Sequence, residues 1–332
     1  HSSEEVKFIL AQVVQAQESW RESDLTLRLA CLDLIAGTLR DRAREYASLM
    51  AEEMGKPFSQ GLGEVEKCAW LCDYYRENAN SFLSDQAIDI SGQKSIVTIQ
   101  PIGLVLGVMP WNFPFWQVFR FAIPTLTVGN GAILKHASNV QGCAAAIEKC
   151  FKDSGFPENI FRNLVIPGTE VDKVIIHPAI VAVTITGSTP AGKSVAKAAG
   201  SVLKKTVLEL GGSDPYIVLD DANIEKAVEA CITGRTLNAG QSCIAAKRLI
   251  ATESVYDEFY NKVDQIYTGY VHQIQRNRIF INDENKNELI LPKAGQIPND
   301  RYKRGQQVRG LIIKVESSIR GLEIILSRTD NN

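Results

Sequence analysis

The chain has 332 residues, 45% hydrophobic and 22% charged, the balance of an ordinary globular protein long enough for two domains. A net charge of −2 argues against nucleic acid or an anionic membrane surface as a partner, and no apolar run approaches the roughly 20 residues of a membrane helix. Seven cysteines, an odd number set mostly in helical apolar contexts, fit reduced thiols and a cytoplasmic location.

Residues 3–80 read as helices. Leu25, Leu29, Leu32, Ala36, Leu39, Ala43 and Tyr46 recur at steps of four and three, which sets them on one helical face. Gly55-Lys56-Pro57 ends that run, and a further helix is expected over 61–82. Cys68 and Cys72 share a face of it, but no histidine stands near them in sequence, so they read as buried structural thiols and no metal is expected. The pattern then alternates: 87–90 and 95–100 flank a Ser91-Gly92 turn and predict a β-hairpin over 86–100. Gly103–Met109 is a buried strand stopped by Pro110.

From there strands at 131–135, 162–166, 181–186 and 206–210 alternate with helices at 140–153, 170–176 and 189–199. The rhythm predicts an α/β fold, a Rossmann-type parallel sheet flanked by helices. Residues 216–219, a helix over 223–236 and a strand over 248–252 begin a second α/β unit, and the helix from Val255 is expected to reach Tyr267. Residues 264–332 change character. They hold 11 Lys and Arg against 8 Asp and Glu, with short apolar pieces at 311–315 and 322–326, and do not continue the α/β rhythm.

Five segments carry chemistry. Pro110-Trp111-Asn112-Phe113-Pro114 sets Asn112 at the carboxyl end of a strand, where its amide either stabilises an oxyanion or caps the next helix. Lys135, ending a strand, either meets a nucleotide or is a solvated lysine; Ser138, three residues on, is not an acid and so tolerates a ribose 2′-phosphate. Gly187-Ser188 joins a strand to a helix, an anion site or a plain N-cap. Glu209 lies in the apolar run Val207-Leu208-Glu209-Leu210 before Gly211-Gly212; if buried, its pKa would rise toward that of a general base, and otherwise it faces solvent on an edge strand. Cys243, behind Asn238-Ala239-Gly240, is a nucleophile or a small core residue.

Together, residues 110–114, 135–138, 185–188, 208–212 and 240–243 resemble, in order and spacing, the NAD(P)-dependent aldehyde dehydrogenase superfamily, over about residues 5–263. The text around 115–120 is most similar to the succinate-semialdehyde group. The resemblance implies oxidation of an aldehyde to the acid with NAD or NADP. Cys243 attacks the carbonyl carbon, and the Asn112 amide and the Cys243 N–H hold the thiohemiacetal oxyanion. Hydride loss leaves a thioester, which water activated by Glu209 hydrolyses. Lys135 holds the adenosine ribose and Ser188 the pyrophosphate, while Trp111, Ser138, Gly187, Leu210 and Gly211, with Glu209, complete the cofactor cleft. The resemblance also implies that Phe113 faces the substrate, and that Arg120 either pairs a distal substrate carboxylate or forms a surface ion pair on its helix.

By the same resemblance, 1–85 with 101–211 form the NAD(P)-binding domain, and 86–100 an oligomerisation arm through which a homo-oligomer forms. Residues 212–332 are then an incomplete catalytic domain with an atypical tail, 264–332, truncated and divergent after about residue 263. The family's Glu-x-Phe-Gly-Pro segment, which holds the nicotinamide ribose, does not occur. Two other readings stay open: a non-catalytic homologue that binds a dinucleotide, and a cofactor-independent thiol esterase.

Overall fold

The computed structural model describes residues 1–90, 93–263, 266–282, 288–297, 300–318 and 321–329. The chain divides into two units, His1–Ser213 with Thr236–Ala245, and Asp214–Arg235 with Ala246–Asn332.

The first unit opens with four helices, α1 (Ser3–Arg21), α2 (Leu25–Asp41), α3 (Ala43–Met54) and α4 (Phe58–Phe82). Ser2 and Glu5 cap α1 reciprocally: Ser2 Oγ accepts from Glu5 N at 3.3 Å, and Ser2 N donates to Glu5 Oε2 at 2.6 Å. Strands β1 (Gln86–Ile90) and β2 (Gln93–Val97) pair antiparallel as the predicted hairpin; its Ser91-Gly92 turn lies outside the described residues.

The sheet follows. Strands β3 (Leu104–Met109), β4 (Gly131–His136), β5 (Phe161–Asn163), β6 (Ile180–Thr186) and β7 (Lys205–Glu209) run parallel in the order β5-β4-β3-β6-β7. Between them lie α5 (Trp116–Val128), α6 (Gln141–Asp153), α7 (Val171–Ile176) and α8 (Thr189–Gly200). One face buries Leu10 and Val13 of α1 and Val195 of α8 against Leu106, Ile133 and Val183. The other packs Phe119 of α5 and Phe151 of α6, backed by Leu32, Leu39 and Tyr46. Each such fully buried side chain contributes about 1.5–3 kcal/mol. A β-carbon at Gly107 would lie 2.4 Å from the Phe121 ring, so glycine lets α5 settle on β3. The chain moves outward from β3 to β4 and β5, then resumes on the other side at β6. That reversal is the switch point beside which open parallel sheets bind ligands, at the carboxyl ends of their strands.

In the second unit β8 (Pro215–Val218) and β9 (Arg248–Ala251) pair parallel. Helices α9 (Ile224–Thr236) and α10 (Glu253–Val263) join them around Val218, Ile224, Cys231, Val255 and Phe259. The helix expected to reach Tyr267 is therefore too long. Tyr267 lies in strand β10 (Ile266–Ile274), where tertiary pairing overrides local helical pattern by setting Ile266 opposite Leu311 and Tyr267 opposite Gly310.

The tail, which showed no regular rhythm in sequence, forms a closed barrel. Strands β11 (Arg278–Asn282), β12 (Glu288–Pro292), β13 (Gln307–Ser318) and β14 (Gly321–Ser327) complete the order β10-β11-β12-β14-β13, with β13 closing onto β10. Among the described residues of the barrel, only the β12–β14 pair is parallel. Val271, Ile279, Ile281, Leu289, Leu291, Val308 and Leu326 fill its interior.

Candidate active site

The loop after β3 is held from two directions. Glu64 of α4 accepts from the backbone N–H groups of Phe115 and Trp116, both at 2.9 Å, capping α5. Its other oxygen meets Lys56 Nζ at 2.7 Å, and Lys56 lies 4.0 Å from the Phe113 ring centroid. Both groups are buried: desolvation pulls the Lys56 pKa down and pushes the Glu64 pKa up, each opposed by the partner's charge. On the sheet side, His136 Nε2 lies 3.0 Å from the Pro114 carbonyl, and Nδ1 lies 3.2 Å from the Met109 carbonyl and 3.0 Å from Ala137 N.

Asn112 projects from this anchored loop toward the thiol loop. Its Nδ2 donates to the Gln241 carbonyl at 2.8 Å, while Asn238 Nδ2 donates to the Asn112 carbonyl at 2.7 Å. Asn238 N donates in turn to Gln60 Oε1 at 2.6 Å. These contacts hold Asn238, Ala239 and Gly240 in three successive left-handed conformations, with φ of 56°, 53° and 76°. Two of the three are not glycine, so the turn stores about 1–2 kcal/mol at each of them. Cys243, two residues beyond Gln241, is half-buried; the other six cysteines are buried, and all seven are thiols. Burial pushes Cys31, Cys68, Cys72, Cys143, Cys150 and Cys231 up, Cys150 to about 11.

Glu209 corrects the reading in which it is buried. Its side chain is 53% exposed, because β7 is the sheet's edge strand and its outer residues are uncovered, so the premise for activating it by desolvation fails. Its carboxylate stands 3.8 Å from Arg120 Nη2, which also donates to Thr186 Oγ1 at 3.4 Å. Arg120 thus faces Glu209 and β6.

The residues expected at a dinucleotide follow the same carboxyl edge. Lys135 is half-buried near the end of β4, and burial lowers its pKa. Ser188 caps α8, accepting from Ala191 N at 3.4 Å, and Gly187 N donates to the Glu209 carbonyl at 2.9 Å. Leu210 packs onto α8 at Gly192, where a β-carbon would approach its Cδ2 to 2.5 Å. Trp111, Ser138 and Gly211 are exposed, and Phe113 is half-buried beneath Lys56. A side chain at a strand end and a helix N-terminus are the kinds of group that could hold a ribose and a pyrophosphate, and Lys135 and the start of α8 are of these kinds. Two cavities, about 230 Å³ beside Phe151 and Arg162 and about 430 Å³ beside His1 and His177, include none of these residues. Among the described residues no cluster of His, Cys, Asp and Glu could hold a metal, and no helix is long and apolar enough to cross a membrane.

Gln60, Asn238, Lys56, Glu64 and His136 carried no assigned role in the sequence. Asn238 left one signal, an Asn-Ala-Gly turn shortly before the cysteine; Gln60, Glu64 and His136 act through partners distant in sequence, and Lys56 through Glu64 and Phe113.

The profile of the aldehyde dehydrogenase family matches residues 1–273. A probable NADP⁺-dependent succinate-semialdehyde dehydrogenase of Synechocystis is 46% identical over 267 residues, covering 80% of this chain and 59% of the relative. The NAD(P)⁺-dependent succinate semialdehyde dehydrogenase of Escherichia coli is 45% identical over 240 residues, covering 72% and 52%. Among solved structures, the succinic semialdehyde dehydrogenase of Streptococcus pyogenes with NADP⁺ superposes with a TM-score of 0.77 at 36% identity, covering 79% of this chain and 58% of that one. The chain spans just over half the length of these relatives.

Proposed function

The chain belongs to the aldehyde dehydrogenase family, and on that premise we propose that it binds NADP along the carboxyl ends of the parallel sheet and presents Cys243 to succinate semialdehyde as a nucleophile. The observation that carries this reading is the hydrogen bond from Asn112 to the Gln241 carbonyl, which fixes an amide donor beside the one cysteine that is not buried. Lys135 would hold the adenosine ribose and the start of α8 the pyrophosphate, with Ser138 leaving room for a 2′-phosphate. Bound NADP supplies the hydride acceptor.

The protein's own part is covalent catalysis. Cys243 Sγ adds to the carbonyl carbon, and the second amide hydrogen of Asn112 meets the oxyanion. Once the aldehyde hydrogen has left, the acyl group remains on sulfur as a thioester. Glu209 takes a proton from the water that cleaves it. For Arg120 to receive the distal carboxylate of the substrate, it must exchange Glu209 for it. The hairpin β1–β2, with exposed Ile88, Ile90, Ile96 and Val97, is the surface assigned to a second copy.

The test is NADPH formation from NADP⁺ and succinate semialdehyde. The wild-type chain is expected to turn over, Cys243→Ala to lose activity entirely, and Asn112→Ala to lose about 100-fold in kcat. Full activity in Cys243→Ala would remove the proposed nucleophile.

A further inference from the structure

The barrel β10–β14 is the part of the chain that aldehyde oxidation leaves unused; the family match ends at residue 273, inside β10. Its interior is filled with aliphatic side chains, so any chemistry lies on its outer face. On β10 and β11 that face carries rings: Tyr270 is 46% exposed, and half-buried His272 and Phe280 lie with ring centroids 6.5 Å apart. Exposed Arg278 stands two residues from Phe280 on the same side of β11.

Cations frame the rings. Gly305 N donates to the Val271 carbonyl at 2.7 Å, and Val271 N donates to the Gln306 carbonyl at 2.8 Å, which brings the exposed Lys303-Arg304 pair up beside Tyr270 and His272. Exposed Arg309 flanks β10 on its other side, paired in register with Thr268. Among the described residues, Glu288 Oε2 lies 3.0 Å from His272 Nε2, and Asp300 is held by Arg328. Residues 264–332 carry +3 while the rest of the chain carries −5, so the overall charge that argued against nucleic acid conceals a basic module.

We propose that the β10–β11 face of the barrel binds single-stranded nucleic acid, with unstacked bases on Tyr270 and Phe280 and phosphates on Arg278, Arg304 and Arg309. Aromatic platforms take bases of any sequence, and a surrounding basic rim tracks the backbone. A duplex buries its base faces, so it offers nothing to the rings. Small five-stranded Greek-key barrels present this face, centred on their second and third strands, to oligonucleotides or oligosaccharides, and the basic rim selects the polyanion.

Fluorescence anisotropy of the full chain tests this, using labelled oligouridylate and oligothymidylate of about 12 nucleotides. Saturable binding to either strand is expected, falling steeply between roughly 50 and 200 mM salt. Tyr270→Ala and Arg278→Glu should each weaken it about tenfold or more, with the thermal unfolding midpoint separating lost contact from lost fold. Arg278 is exposed, so R278E keeps the test open if Tyr270→Ala fails to fold. Absence of binding to both oligonucleotides, affinity unchanged in both variants, or equal affinity for a duplex of the same length would overturn the proposal.

Discussion

His136 shows how a single buried base ties the site to pH. Desolvation outweighs its contacts with the Pro114 and Met109 carbonyls, so the pKa of its imidazole falls below the ordinary 6.5. Below that value the unfolded chain takes up a proton that the folded chain refuses, and stability falls with pH. The contribution is complete above pH 6.5 and is lost as pH drops through the depressed folded value. Thermal unfolding between about pH 8 and pH 5.5 should show a declining midpoint, and His136→Asn should flatten that decline; identical profiles would contradict it. Nothing in the local sequence announces this role, since the partner that matters is a backbone carbonyl 22 residues earlier. Glu209 failed in the opposite direction. Its apolar neighbours suggested a core, yet Val207 is itself 59% exposed, because an edge strand does not bury what its composition would allow.

At the scale of elements, the strand–helix rhythm from β3 to β7 was legible because each strand and each amphipathic helix announces its own period. What positions the loops between them was not. The N-terminus of α5 is capped by Glu64, 51 residues upstream, and Glu64 is in turn neutralised by Lys56. With Glu64 only 2% exposed at its side chain, Lys56→Met would strand a carboxylate in the interior and should cost about 3–5 kcal/mol in urea denaturation. The double variant with Glu64→Gln should recover much of that loss. A Lys56→Met protein within about 1 kcal/mol of wild type would show that α5 and Asn112 are held by other means. The barrel escaped sequence reading for a related reason. Its closure depends on pairing Tyr267 with Gly310 and Ile290 with Ile325, contacts too distant in sequence for local pattern to register.

Across the whole molecule, the two proposed sites lie on different units of the chain. Residues 1–213 with 236–245 gather Asn112, Lys135, Ser188, Glu209 and Cys243 on one structural unit, and the barrel carries an outer face of rings and cations in the other. The motifs were readable because a tight turn, a strand end and a helix start each demand particular residues, as Asn238-Ala239-Gly240 and Gly187-Ser188 do. The charge of the tail was readable too, but its arrangement around Tyr270 was not, because alternation fixes a face only once the strand partners are known. The central claim is that the carboxyl edge of the parallel sheet is a dinucleotide site, and it can be measured apart from any turnover. Calorimetric titration of the full chain with NADP⁺ should give saturable one-site binding, weakened about tenfold or more in Lys135→Ala. No heat of binding in the wild type, or equal affinity in the variant, would contradict it.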